Sequence, residues 1–135
     1  MTQRSEIAGD HIVTLFVPGQ GTAGTIDDWV LLVAEQNITI TEIKLVPNAA
    51  ITANGTNYFT LTATNKGAAA AGSAAVASRS WAATNSVAFV AENMTLGAAA
   101  DLNMAAGDVL DLVRTVAASG LAMPDMFVSV KYKLR

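Results

Sequence analysis

The sequence predicts an all-β fold, an antiparallel β-sandwich or jelly roll formed by a single domain. Short apolar or alternating runs recur about every ten residues, and glycine, proline and Asn-Gly turn signals separate them. In the run 58–64, Phe59, Leu61 and Ala63 alternate with Tyr58, Thr60, Thr62 and Thr64. Side chains alternate between the two faces of a strand, so this run predicts one buried and one exposed face. We assign residues 10–135 to the sandwich and the polar residues 1–9 to an N-terminal arm.

Charged residues are scarce in this chain. They make up 14% of the 135 residues, against about 25% in ordinary soluble domains, while 52% of the residues are hydrophobic. No apolar run reaches the roughly 20 residues of a membrane helix, so we expect no membrane partner. The net charge of −3 disfavours a nucleic-acid partner, and the absence of cysteine excludes disulfides. We therefore expect a protein that hides much of its surface by self-association or within an assembly.

The first elements are predicted from their apolar runs. Residues 11–17 form a β-rich run that ends at Pro18, and residues 29–34 form a second run that is apolar on both faces. For the second run, a helix over 26–35 is the alternative. Residues 37–46 contain a change of parity at Thr41-Glu42, which predicts a β-bulge or a bend because apolar residues before and after it fall on opposite faces.

The middle of the chain is rich in alanine. Residues 66–77 have flanking glycines and no apolar stripe, so they predict a loop rather than a helix. Residues 75–81 predict a strand with Val76, Ser78 and Ser80 on one face. The alternation of Val87, Phe89 and Ala91 predicts a further strand, and 98–106 predicts a connection with a single helical turn.

The last third predicts two strands, 109–116 and 127–135. In the second strand Val128, Val130, Tyr132 and Leu134 share the inward face, while the lysines and Arg135 point outward. Lysines on a terminal strand commonly protect an exposed sheet edge from unwanted pairing, so we expect this strand at an edge.

Motifs that carry chemistry are weak here. Gly19, Gly21 and Gly24 match a dinucleotide-binding G-x-G-x-x-G, but Pro18 interrupts the junction and no βαβ alternation follows, so a surface loop is favoured. His11 is the only histidine, and its neighbour Asp10 would point to the opposite face of a strand. The aspartates lack the spacing of a calcium loop. We predict no enzymatic activity, no cofactor and no metal.

Three aromatic residues and one arginine leave alternatives open. Trp29, Trp81 and Tyr58 would form a sugar-binding platform if they were exposed on one face, although a place in the core or an interface is favoured for them. Arg114 shares its parity with Leu110 and Leu112. It is therefore a paired charge at an interface or marks the point where the strand leaves the core.

Six short motifs lie between residues 38 and 135. They are Val46-Pro-Asn-Ala-Ala50, Asn57-Tyr-Phe-Thr-Leu61, Asn65-Lys-Gly67, Ala106-Gly-Asp-Val-Leu110, Gly120-Leu-Ala-Met-Pro124 and Val128-Ser-Val-Lys-Tyr132. Together they resemble small β-sandwich virion proteins of tailed bacteriophages. The resemblance covers most of the chain and contains no catalytic signature.

The resemblance implies a capsid decoration (cement) protein, made in the host cytoplasm and located on the outer surface of the virion. Such proteins bind the major capsid protein lattice, commonly as homotrimers, and stabilise the head. The arm residues expected to contact the capsid are Gln3, Arg4, Glu6 and Ile7. In a charge-poor assembly protein, an uncharged strand face suits subunit packing, so Tyr58, Thr60 and Thr62 are expected at the subunit interface, with Arg114 as a paired charge there. The alternative function is a tail-tip or fibre-associated sandwich that binds host surface glycans.

Overall fold

A computed structural model of the chain describes residues 9–135. The predicted arm, with its candidate capsid contacts Gln3, Arg4, Glu6 and Ile7, lies outside these described residues apart from Gly9. The described residues form an all-β sandwich of two antiparallel sheets. Its strands are β1 (His11–Val17), β2 (Asp27–Val33), β3 (Ile38–Pro47), β4 (Tyr58–Asn65), β5 (Ala74–Ser80), β6 (Glu92–Asn93), β7 (Thr95–Leu96), β8 (Asn103–Met104), β9 (Val109–Ala117) and β10 (Met126–Leu134).

The strand order is that of a jelly roll. Sheet 1 has the order β1-β10-β3-β6, with β8 also paired to β3, and sheet 2 has the order β2-β9-β4-β5-β7. The two-residue strands β6 and β8 pair with opposite ends of β3 and together occupy the position of one strand. The chain crosses between the sheets as it proceeds, so that the first and last long strands are neighbours in sheet 1.

The core lies between the two sheets and is formed by the inward face of each strand. On β4, the residues Phe59, Leu61 and Ala63 are fully buried, as the alternation predicts. Thr64 departs from the prediction, because it is buried at the end of the strand where the loop 66–73 leaves the sheet. On β10, Val128 and Val130 are also fully buried.

The predicted bulge in β3 is confirmed. Glu42 pairs with Lys131 and Ile40 pairs with Tyr132, so Thr41 is the extra residue. The Thr41 hydroxyl lies 3.2 Å from the Lys131 carbonyl oxygen, to which it donates a hydrogen bond. Because of this extra residue, the isoleucines on both sides of the bulge all reach the core.

Residues 27–33 form a strand and not the alternative helix, and a short 3₁₀ turn, Ala99–Leu102, occupies the alanine-rich connection. The strand 75–81 is confirmed in position but not in its faces. Thr64 pairs with Ala75 and Ala63 with Ala77, so Val76 is a bulge residue. Val76 is buried in the core, whereas Ser78 lies on the opposite, outward face.

Two further expectations are wrong. β10 is not an edge strand, because it pairs with β1 on one side and with β3 on the other. Its lysines instead form ion pairs, Lys131 with Glu42 at 3.5 Å and Lys133 with Asp10 at 3.8 Å. Residues 87–91 form no strand but part of an irregular loop between β5 and β6, with exposed apolar side chains.

Candidate functional site

The outward face of sheet 2 brings together three of the predicted interface residues. Tyr58, Thr60 and Thr62 lie on β4, which pairs with β9 and β5 on its two sides. The neighbours of the two threonines on this face are Val113, Thr115, Ser78 and Ser80. We call this surface the threonine face. Its centre is uncharged, so a second surface could cover it without removing a charge from water.

A surface pocket of about 500 Å³ borders the threonine face. Val30 of β2, Val109 of β9 and the three alanines 68–70 provide its apolar lining, and Asp28, Lys66, Gly67 and Asp111 complete it. The Asp111 carboxylate is nearly buried and lies 4.0 Å from the Lys66 Nζ. Burial raises the pKa of Asp111, with a further contribution from the negative charge of Asp28.

Arg114 is not at the surface of the chain, contrary to its expected place at a subunit interface. The residue is 0% exposed, and its guanidinium lies over the Phe59 ring with its central carbon 5.0 Å from the ring centroid. It donates hydrogen bonds to the carbonyl oxygens of Ala23, Thr25 and Leu121. Burial lowers its pKa, and the nearby Asp27 opposes that shift. The arginine therefore ties two loops to the core of one subunit and is unavailable to another.

The outward face of sheet 1 carries exposed aromatic residues. Phe16 of β1 and Phe127 of β10 are paired across the sheet, with ring centroids 5.7 Å apart in an edge-to-face arrangement. They are 56% and 52% exposed, and Val46 continues the row on β3. Ile12 lies further along β1 on the same face and is also exposed. We call this surface the aromatic face.

A polar network holds the loop that follows β5. The Trp81 Nε1–H donates to the Ser86 hydroxyl at 2.7 Å, and that hydroxyl lies 2.8 Å from a Glu92 carboxylate oxygen. Arg79 pairs with the same carboxylate at 3.1 Å and lies 4.6 Å from the centroid of the Trp81 ring. Ser86 also exchanges both of its backbone hydrogen bonds with Ile51. The loop is thus fixed to the core at its base.

The tip of this loop is apolar and exposed. Phe89 is 78% exposed, and Val87 and Val90 on either side are more than half exposed. The Phe89 N–H donates to the Pro47 carbonyl at 2.8 Å, and its φ of 61° lies in the left-handed region. Such a conformation is a rare one for a bulky residue and tends to occur where function requires it. We call residues 82–91 the knob loop.

The other candidate sites from the sequence are accounted for by structural contacts. Trp81 is fully buried and stacks on Phe59 at 4.3 Å between ring centroids, so its favoured place in the core is confirmed and the alternative sugar platform does not form. His11 stacks on Tyr132 at 5.3 Å. The glycine-rich segment is a loop followed by β2 rather than a helix, and the Gly19 N–H donates to the Asp125 carboxylate at 2.5 Å.

Within residues 9–135, no three His, Cys, Asp or Glu side chains are grouped so that they could hold a metal ion. The same part of the chain contains no helix with the length and apolar character needed to cross a membrane. The described surface offers an uncharged threonine face on sheet 2, an apolar tip on the knob loop, and on sheet 1 an aromatic face on which Ile12 lies beside the ion pair of Lys131 and Glu42.

Comparison with known proteins gives little further information. No family model matches the chain, and no curated protein matches it. Among solved structures, a chain of the infectious bursal disease virus Gx strain is similar over 92% of this chain and 32% of its own length, with 12% identity and a TM-score of 0.39. A chain of the Gt strain is similar over 94% and 36%, with 11% identity and a TM-score of 0.30. This chain spans about a third of the length of either, and values this low carry no argument about function.

Proposed function

We propose that this chain is a structural virion protein: a capsid decoration protein of a tailed bacteriophage that binds the outer surface of the major capsid protein lattice. In this proposal it acts without catalysis, associates as a homotrimer and stabilises the head. The jelly roll supports the proposal only as a fold that capsid domains share with lectins and cupins, so the support for this function comes from the exposed surfaces.

The observation that carries the proposal is the exposure of large aromatic side chains in a charge-poor chain. Taking about 200 Å² for each phenylalanine, Phe16 and Phe127 leave roughly 200 Å² open to solvent on the aromatic face, and Phe89 leaves roughly 150 Å² on the knob loop. Single exposed apolar residues are common on monomers, whereas two exposed aromatic rings in contact on one sheet face form an apolar surface suited to an interaction site. A protein that is covered on several sides in an assembly needs such surfaces and few charges.

We assign the aromatic face to the capsid. Its residues Ile12 and Phe16 lie on β1, the strand that directly follows the predicted arm. In this proposal the arm, which joins the described chain ahead of β1, and the aromatic face contact the same partner. The threonine face, on the opposite sheet, remains for contacts between copies.

The experiment measures occupancy on phage heads that lack the protein. The double variant Phe16→Ser/Phe127→Ser should bind at least tenfold less than wild type, because truncating buried aromatic anchors is costly at interfaces. Thr115→Ser, an exposed change on the opposite sheet, is the control and should bind normally. Deletion of residues 1–9 should weaken binding while the sandwich stays folded.

Full occupancy by the double variant would reject the assigned surface. Failure of the wild type to bind any head, or its presence in only a few copies at the tail, would reject the function.

A further inference from the structure

We propose that copies of this chain associate head to tail, with the knob loop of one copy filling the pocket beside the threonine face of the next. The proposal rests on the self-association included in the proposed function and names the contact that forms it. It differs from the expected interface, because the anchor residue is Phe89 and not a residue of β4.

The knob loop has the properties of a binding anchor. Phe89 and its two valine neighbours expose more than half of their surface, while the base of the loop is fixed by Trp81, Ser86 and Glu92. A loop that is already ordered loses little conformational freedom on binding, which favours association. Residues 82–91 also include no charged side chain, so the tip adds no charge of its own to the pocket, whose charged lining residues are Asp28, Lys66 and Asp111.

The pocket has matching properties. Val30 is 63% exposed although it lies in the middle of a strand, and it faces the alanines 68–70 across the opening. A cavity of about 150 Å³ holds a benzene ring, so a pocket of about 500 Å³ has room for the phenyl ring of Phe89 and a valine beside it.

The positions of the two features require two molecules. The pocket lies between the loop 66–73 and the strands β2 and β9, at the side of the sandwich where β1 and β2 are neighbours. The knob loop connects β5 to β6, which lie at the other side of both sheets. A knob therefore cannot reach the pocket of its own chain. The contact pairs two different surfaces, and contacts of this kind generate a closed ring when the rotation between copies closes.

Cysteine cross-linking tests the contact, because the natural chain contains no cysteine. Val90→Cys marks the knob and Ala69→Cys marks the pocket, and neither change removes Phe89. We expect a disulfide-linked dimer when the two variants are mixed and none when either variant is oxidised alone. The double variant should form a ladder that ends at the ring size. Each experiment is made with concentrated free protein and with protein bound to phage heads.

A second set of variants tests the anchor. Phe89→Ser should weaken association by about 30-fold or more in sedimentation equilibrium, the loss typical of an interface hot spot. The matched control Ile26→Ser also removes an exposed large apolar side chain, one that lies on neither the knob loop nor the aromatic face, and should leave association unchanged. Both variants are compared with wild type in thermal unfolding, so that misfolding is recognised.

Three outcomes would overturn the inference. The first is the absence of a knob-to-pocket cross-link both in solution and on heads. The second is association of Phe89→Ser that equals that of wild type. The third is a Thr14→Cys variant that cross-links to itself while the mixed pair does not cross-link. The last result would show that copies pair through the open edge of β1. Occupancy on heads by a protein without the cross-link would reject this contact and leave the proposed function standing. The mixed cross-link together with no binding to heads would reject the proposed function and leave this contact between copies standing.

Discussion

Replacing Arg114 with methionine should destabilise the fold of a single subunit. Methionine fills much of the volume of the arginine stem but leaves the carbonyls of Ala23, Thr25 and Leu121 without their donor. Each hydrogen bond to a charged group contributes about 1.5–3 kcal/mol to the free energy of unfolding. The substitution also removes the cost of burying the guanidinium charge away from water, which offsets several kcal/mol of that loss. With three bonds lost, a net loss of about 3 kcal/mol remains, against a total stability of about 5–15 kcal/mol for a domain.

The assay is thermal and denaturant unfolding at neutral pH. For a domain of 135 residues a loss of about 3 kcal/mol lowers the Tm by about 10 °C. Arg114→Lys should fall between wild type and Arg114→Met, because a lysine cannot reproduce the fork of donors. The neighbouring surface change Thr115→Ala should shift the Tm by very little. If Arg114→Met were as stable as wild type but lost self-association, the arginine would act between subunits and the argument from its burial would be refuted.

Two further predictions concern a loop and a titrating group. Gly19→Ala should destabilise the fold by about 1–3 kcal/mol, since the added Cβ would lie 2.6 Å from the Met123 carbonyl oxygen. Gly21→Ala should be neutral or slightly stabilising, because no atom lies within 4 Å of its added Cβ. Equal melting temperatures of the two variants would contradict this prediction. Burial raises the pKa of Asp111 above its ordinary value of 3.8, so its contribution favours the folded state below that value and is lost as the pH rises through the folded pKa. Asp111→Asn should therefore reduce the fall of the unfolding free energy as the pH rises above about pH 4. A steeper fall of the unfolding free energy in the variant than in wild type would contradict this prediction.

Local patterns in the sequence were sufficient to place most long strands and one irregularity. The change of parity at Thr41 predicts the bulge because side-chain direction alternates strictly along a strand. The order of strands within a sheet depends on contacts between distant segments, which no local pattern contains. For this reason the lysines of β10 suggested an edge, although the strand lies between β1 and β3.

The candidate site was harder to predict than the fold. Val87, Phe89 and Ala91 alternate like a strand, but hydrogen bonds of Ser86 with Trp81 and Ile51 hold the segment as a loop. Arg114 has the parity of a core residue, and its acceptors are backbone carbonyls, which every residue carries and no sequence motif marks. The pocket beside Val30 likewise depends on how the alanine-rich loop folds over β9.

The pairing of β1 with β10 also sets constraints on the folding kinetics. His11 pairs with Tyr132, so the first described strand cannot complete sheet 1 until nearly all of the intervening chain is in place. Closing so long a loop is slow, and folds dominated by such contacts reach the native state in milliseconds to seconds. During that interval the run His11–Val17, which contains no Asp, Glu, Lys or Arg, has no partner within the chain. Refolding yield should therefore fall as protein concentration rises, through strand exchange between unfinished molecules rather than through any weakness of the finished fold.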